Sequence, residues 1–247
     1  MYSTMSQKIS SKLAIQSWCF RGFEEIDAML EMLLACNISN LELCGFHCKP
    51  ERGQATLTIK RIMDAGVNIT AYGVHKFTAD ETNGRAAFDI TRQAGFETIS
   101  ADLANGGLPV AEALCREYGV KLAIHNHGRR HALGSVAALD TLFAATGPEI
   151  GLCLDTAWML DSGEDPLQVA ERFKERLYGI HIKDFVFDRD GKPRDVVVGT
   201  GNLDLQGLMH YLKSIDYQGF VTLEYEGDMD NPVPALSECV AAIQAFN

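Results

Sequence analysis

Hydrophobic residues along the chain fall into a two-part pattern that repeats. Short runs rich in Val, Ile and Leu alternate with longer stretches whose apolar residues recur every three or four positions. The short runs cover 13–20, 40–45, 68–74, 98–103, 121–127, 150–155, 177–183 and 220–226, and their length and β-branched content predict strands. The longer stretches cover 23–36, 55–65, 83–94, 110–118, 136–145, 166–175, 205–214 and 234–246. Their period predicts helices that lay one apolar face on a sheet. Strands that alternate with helices of this length are βαβ units, which make parallel sheets.

Local punctuation agrees with these boundaries. Gly66, Gly95, Gly119 and Gly219 each stand just ahead of a predicted strand, where the residue after a helix favours positive φ. Asp165-Pro166 and Asp204 are expected helix starts, with a carboxylate accepting first-turn N–H groups. Eight strand–helix pairs in 247 residues predict a closed (β/α)8 TIM barrel, a single α/β domain over 12–247 behind a polar tail at 1–11. An open doubly wound sheet would carry a Gly-rich phosphate turn after its first strand. Here that turn reads Trp18-Cys19-Phe20-Arg21-Gly22.

Composition narrows the function. With 47% hydrophobic and 22% charged residues, wholesale disorder is excluded. Lys and Arg total 22 against 33 acidic residues, a net charge of −11 that argues against nucleic acid as a partner. No apolar run approaches the roughly 20 residues that span a bilayer, so no membrane partner is expected. Residues 1–11 lack the apolar core of a secretory signal, which predicts a cytoplasmic protein. The seven cysteines are scattered through apolar runs, as expected of reduced thiols without disulfides. Cys44 and Cys48 with His47 have no second pair at zinc-ligand spacing and are read as structural.

A barrel of this kind keeps its active site at the C-terminal ends of its strands. Those ends read His125-Asn126-His127, Asp155-Thr156-Ala157-Trp158, His181-Ile182-Lys183-Asp184 and Glu224-Tyr225-Glu226 on strands five to eight. Burying such groups unpartnered costs about 2–7 kcal/mol for a polar group and more for a charge. One shared divalent ion removes that cost, so His125, Asp155, His181 and Glu224 are expected to form a metal site. Alternation along the strands sets His127, Lys183 and Glu226 one layer nearer the mouth. Candidate proton carriers are Glu224, Glu226 and, with its pKa lowered by the ion, Lys183. Glu42, His75, His127 and Trp18 are candidate substrate contacts, each with an ordinary structural role as the competing reading. Lys183 and Asp184 are equally able to pair with each other. The long segment 188–204 is read as a lid, with Gly199-Thr200-Gly201 offering N–H groups to a phosphate and Arg189 and Arg194 moving in.

Leu-Asp155-Thr156-Ala157, His181-Ile-Lys183-Asp184, Gly199-Thr-Gly201-x-x-Asp204 and Leu-Glu224-Tyr-Glu, in this order and spacing, resemble the xylose-isomerase-like sugar phosphate isomerases and epimerases. That superfamily also contains inosose dehydratase and endonuclease IV. The resemblance runs from Leu13 to the C-terminus. It implies a metal held by Glu, Asp, His and Glu on strands five to eight, which Asp155, His181 and Glu224 match. His125 stands where most members have a glutamate, and Trp158 where many have a substrate-contacting histidine, which makes Trp158 a further candidate substrate contact.

The implied activity is metal-dependent isomerisation or epimerisation of a sugar or sugar phosphate through a stabilised enediolate. In the epimerases two glutamates act on opposite sides of the substrate. A metal-bound His125 does not readily carry a proton, so dehydration of a keto-sugar or keto-inositol is the alternative. From another class come a non-catalytic sugar-binding barrel and a partner subunit that lends its site. Imidazole with carboxylate favours Mn²⁺, with Zn²⁺, Co²⁺, Fe²⁺ and Mg²⁺ as further options. An endonuclease IV-like activity needs a trinuclear site and a basic groove, against seven histidines and the acidic charge. The expected partner is a small sugar or polyol, and the resemblance implies a homodimer.

Overall fold

The computed structural model describes residues 9–51 and 53–246. Seven parallel strands come first: β1 (Leu13–Gln16), β2 (Asn40–Leu43), β3 (Asn68–Phe77), β4 (Thr98–Leu103), β5 (Lys121–His125), β6 (Ile150–Asp155) and β7 (Leu177–Ile182). A small antiparallel hairpin follows, β8 (Phe185–Phe187) with β9 (Pro193–Asp195), and then β10 (Phe220–Leu223). β10 pairs with β7 on one side and β1 on the other, which closes the barrel. The predicted TIM barrel is the observed fold.

The outer layer is built from α2 (Ile26–Ala35), α3 (Gln54–Asp64), α4 (Glu81–Ala94), α5 (Gly107–Tyr118), α6 (Val136–Ala144), α8 (Pro166–Arg172), α9 (Leu205–Ser214) and α10 (Val233–Gln244). The Asp165 and Asp204 carboxylates accept from the N–H groups of Leu167 and Gly207, both at 2.9 Å, and start α8 and α9 as their sequence predicts. Gly66, Gly95 and Gly119 have φ of 78°, 79° and 67°. Gly219 corrects the expectation made for it. The positive φ there belongs to Asp216 (47°), and a Cβ on Gly219 would lie 2.1 Å from the Tyr217 hydroxyl, so close packing requires glycine. Of the expected polar tail, residues 1–8 lie outside the described residues, and Ile9–Lys12 form one helical turn, α1.

Two apolar regions hold the barrel. The larger fills the space between strands and helices with residues such as Leu13, Leu41, Leu122, Leu152, Ile180 and Leu223. Their strand neighbours point the other way. At the bottom of the barrel Ala71, Ala123, Cys153 and Phe220 form a small second cluster, where a Cβ on Gly179 would strike the Phe220 ring at 2.0 Å. Above that plug the inward positions turn polar. Gln16, Glu42, Ser100, His125, Asp155, His181 and Thr222 are all at most 3% exposed.

Two pieces of the C-terminal face differ from the sequence expectation. The strands predicted to reach 20, 127 and 226 end at Gln16, His125 and Leu223. α7 (Thr156–Asp161) also starts directly from β6, because the Asp155 carboxylate Oδ1 accepts from the Trp158 N–H at 2.8 Å and caps it.

Candidate metal centre

His125, Asp155, His181 and Glu224 end β5 and β6, sit on β7 and follow β10, and all four side chains enter the barrel. Each offers one ligand atom, and these atoms lie within 4.8 Å of one another. Every member is buried. The backbone there is fixed by Asn126, whose side chain accepts from Asp155 N–H at 2.8 Å and donates to Asp155 C=O at 3.0 Å, stapling β5 to β6.

The cluster is only half satisfied. His181 Nδ1 lies 2.7 Å from Glu224 Oε2, and its Nε2 lies 2.8 Å from Glu42 Oε2. Glu42 Oε1 in turn accepts from the Ser100 hydroxyl at 2.5 Å. By contrast both ring nitrogens of His125 and Oδ2 of Asp155 have no hydrogen-bond partner among the described residues, although His125 Nε2 stands 3.4 Å from that oxygen. Orphaned donors and acceptors in a dry interior are costly. A divalent cation in their midst would take lone pairs from both, so this donor set fits a metal.

Electrostatics around the cluster are strongly perturbed. Burial would lower the His181 pKa, but the Cys153 sulfur, Glu42 and Glu224 around the ring raise it well above its ordinary value. Cys153 is itself pushed up to about 12 by burial and stays a thiol, so the two glutamates supply the charge. Burial raises and Lys183 and His181 more than offset it at Glu224, whose pKa falls well below the carboxylate range. Glu42 is lowered too, burial being outweighed by His181.

Lys183, expected as a base with its pKa lowered by an ion, is surrounded by carboxylates. Its ammonium contacts Glu226 Oε1 and lies 3.3 Å from Glu224 Oε1 and 3.8 Å from Asp195 Oδ1. Burial works to lower its pKa, yet the carboxylates of Glu224, Asp155, Asp195 and Glu226 raise it well above the usual lysine value. These carboxylates favour its ammonium form. Nor does it pair with Asp184, whose carboxylate accepts from the N–H groups of Gly199, Gly201, Asn202 and Leu203 at 2.9–3.0 Å. Gly199 and Gly201 N–H, two of the three groups expected to bind phosphate, are thus taken by Asp184, and the third, Thr200 N–H, donates to the Val197 carbonyl at 3.0 Å, so the Gly199 loop is no anion site. Within the segment read as a lid, β9 is held inward by Asp195, which accepts from Glu226 N–H at 3.3 Å.

Above the cluster opens a cavity of about 380 Å³ lined by Trp18, Phe46, His127, Trp158, Glu224 and Glu226, among others. Trp18 Nε1 donates to Glu226 Oε2 at 3.0 Å. The His127 ring centroid lies 4.8 Å from that of His125, the two planes tilted by 55°, and burial, then the neighbouring His125 and His131, push its pKa to about 4. Two expected substrate contacts lie elsewhere. Glu42 is fully buried beneath the cluster, with both oxygens engaged as described. His75 packs against Tyr72 and Phe77, with ring centroids at 6.0 and 4.9 Å, and does not line the cavity. Sequence reasoning missed Ser100, Asn126 and Asp195. The inward position of Ser100 between Ile99 and Ala101 was the available signal for the first. Cys44 meets the Ser17 hydroxyl at 3.1 Å and His47 Nε2 the Phe23 carbonyl at 3.0 Å, in keeping with structural roles.

Among the described residues no helix is long and apolar enough to cross a membrane. The inosose dehydratase of Lacticaseibacillus casei is 28% identical over 128 residues, 46% of this chain and 43% of that protein, so the match spans less than half of that relative's length. Two solved structures share the fold. The 3-keto-D-glucoside 4-epimerase YcjR of E. coli superposes with a TM-score of 0.71 at 16% identity, covering 95% of this chain and 99% of that one. The IOLI protein, solved with a bound zinc atom, gives 0.73 at 14% identity over 95% and 99%. The family profile described as xylose isomerase-like TIM barrel matches residues 25–245, and the chain belongs to that family.

Proposed function

We propose that this protein is a metal-dependent dehydratase of a keto-polyol or keto-sugar, with His125, Asp155, His181 and Glu224 as the ligands of one divalent ion. The observation that carries the reading is the buried cluster in which His125 and Asp155 Oδ2 have no hydrogen-bond partner among the described residues. Two imidazoles and two carboxylates suit Mn²⁺ first, with Zn²⁺, Co²⁺ and Fe²⁺ next. The ion would supply Lewis acidity to a substrate carbonyl, making the adjacent C–H more acidic.

The residues of the chain then divide the remaining work. Glu226 faces the cavity, takes the proton from that carbon and returns it to the hydroxyl leaving from the next carbon, so that water is released. Lys183 keeps its ammonium against Glu226 throughout. His127, neutral at physiological pH, donates its N–H to a substrate hydroxyl as a positioning group. Trp18 and Trp158 flank the substrate. With an imidazole on strand five, the cavity's carboxylates, Glu224 and Glu226, both come from the end of β10, which favours elimination over the two-sided proton transfer of an epimerase. The inosose dehydratase relative is in keeping with this choice.

The test uses metal-loaded protein in D₂O with keto-inositols and ketoses. The expected result is loss of water from a keto-inositol, seen as enone absorbance, abolished in Glu226→Gln with metal content unchanged. Deuterium exchange with interconversion of ketoses but no loss of water would instead identify an isomerase or epimerase. Neither exchange nor product with metal bound, alongside tight binding of a sugar, would leave a non-catalytic binding barrel.

A further inference from the structure

We infer that a second cavity, beside the first, holds an anionic group of the substrate, a carboxylate or a phosphate. The inference rests on the reading of this chain as a binder of sugar-like molecules. The cavity measures about 400 Å³ and shares His127 and Trp158 with the first as a common wall. A sugar-sized molecule with one end at the metal cluster meets the second cavity at that wall.

Its charge stands apart from the rest of an acidic molecule. Three cationic side chains, Lys76, Arg129 and Arg130, line it against two carboxylates, Asp102 and Asp161. Arg129 is committed, with Nη1 3.2 Å from Asp161 and Nη2 2.9 Å from the Gly191 carbonyl. Lys76 reaches Asp102 only at 3.6 Å and is 65% exposed. Arg130 is exposed, with no ion pair or hydrogen bond among the described residues. Two donors, one of them a planar fork suited to an oxyanion, are therefore available at one wall.

Asp102, His127 and His131 also bring ligand atoms within 4.8 Å of one another, which raises a cation as the competing occupant. The hydrogen bonds decide against it. His131 Nδ1 accepts from Leu133 N–H at 3.2 Å, so the proton of the neutral ring sits on Nε2, the nitrogen that faces Asp102 at 3.5 Å. That nitrogen presents a donor, not a lone pair. Lys76 further offsets the one carboxylate a cation would need. An oxyanion accepts from His131 Nε2–H, Arg130 and Lys76 together.

The experiment titrates the full metal-loaded chain by calorimetry with inorganic phosphate and, separately, acetate. The variants are Lys76→Gln, Arg130→Gln and the pair; both sites are on the surface, and circular dichroism and metal content monitor the fold. Saturable binding of one or both anions is expected, weakened about tenfold or more in the double variant. The anion that binds tighter identifies phosphate or carboxylate as the recognised group. No binding of either anion, or binding that survives unchanged in the double variant and so belongs to the metal or another surface, overturns the inference. No turnover is needed, so failure of the dehydratase reading leaves this result intact and the reverse is also true.

Discussion

At the scale of single residues, Glu42 and Asp155 show how one side chain serves the fold and the site together. Glu42 accepts at His181 Nε2, which fixes the ring and leaves Nδ1 facing Glu224 and the cluster centre. Such outer carboxylates tune the affinity of a metal site. Glu42→Gln is expected to weaken metal binding by about 10–100-fold, read by competition with a chromophoric chelator; wild-type affinity would deny Glu42 any orienting role. Asp155 divides its work by atom, with Oδ1 capping α7 and Oδ2 open to the cluster. Asp155→Asn keeps a good cap and loses the charge, so it should lose metal with little change in ion-free stability. Asp155→Ala should lose metal and about 1 kcal/mol besides. Equal unfolding midpoints for the two ion-free variants would refute the cap. The four proposed ligands were legible because alternation and the strand-end rule together select them. The partner of Glu42 was not, since β2 and β7 face each other across a barrel and no local spacing reports on that.

At the scale of elements, the eight βα units followed from periodicity alone, and what escaped it was short. Thr156–Asp161 is a helix of under two turns that begins directly after the last residue of a strand, too brief to show a period. The hairpin Phe185–Asp195 sits in a segment whose polar residues read as loop, yet Asp195 reaches back to Lys183 and Glu226. Burial pushes Asp195 up to about 6, and its carboxylate is one of those that raise the Lys183 pKa. The motif around Lys183 does not show that the hairpin after it folds back to bring Asp195, twelve positions on, against the ammonium. The loop after that hairpin is organised by Asp184, which gathers four backbone N–H groups. Asp184→Ala would strand all four and should cost about 3 kcal/mol or more in urea unfolding; a loss below about 1 kcal/mol would show that water replaces the carboxylate freely.

At the scale of the whole molecule, acid sensitivity follows from two histidines kept neutral. Burial pushes His75 to about 4, and burial with neighbouring histidines does the same for His127. Unfolded histidine titrates near 6.5, so between about pH 6.5 and 4 the unfolded chain binds more protons than the folded one. Stability is therefore fully present above that window and falls as the pH drops through it. His75 alone accounts for up to about 3 kcal/mol. His75→Gln should flatten the dependence of unfolding free energy on pH across this range, and an unchanged slope would show that His75 gains its proton in the folded state.

The hydrogen-bonded chain from Ser100 through Glu42 to His181 joins β4, β2 and β7 inside the barrel. A slip of β2 by one residue would turn an ionised glutamate toward the apolar helix layer and pull two other strands' polar groups from their partner. Misaligned closures are thus penalised by the same atoms that hold the site. Shear of the barrel and assembly of its chemistry become a single event, and a chain that has closed at all has closed with its histidine in place.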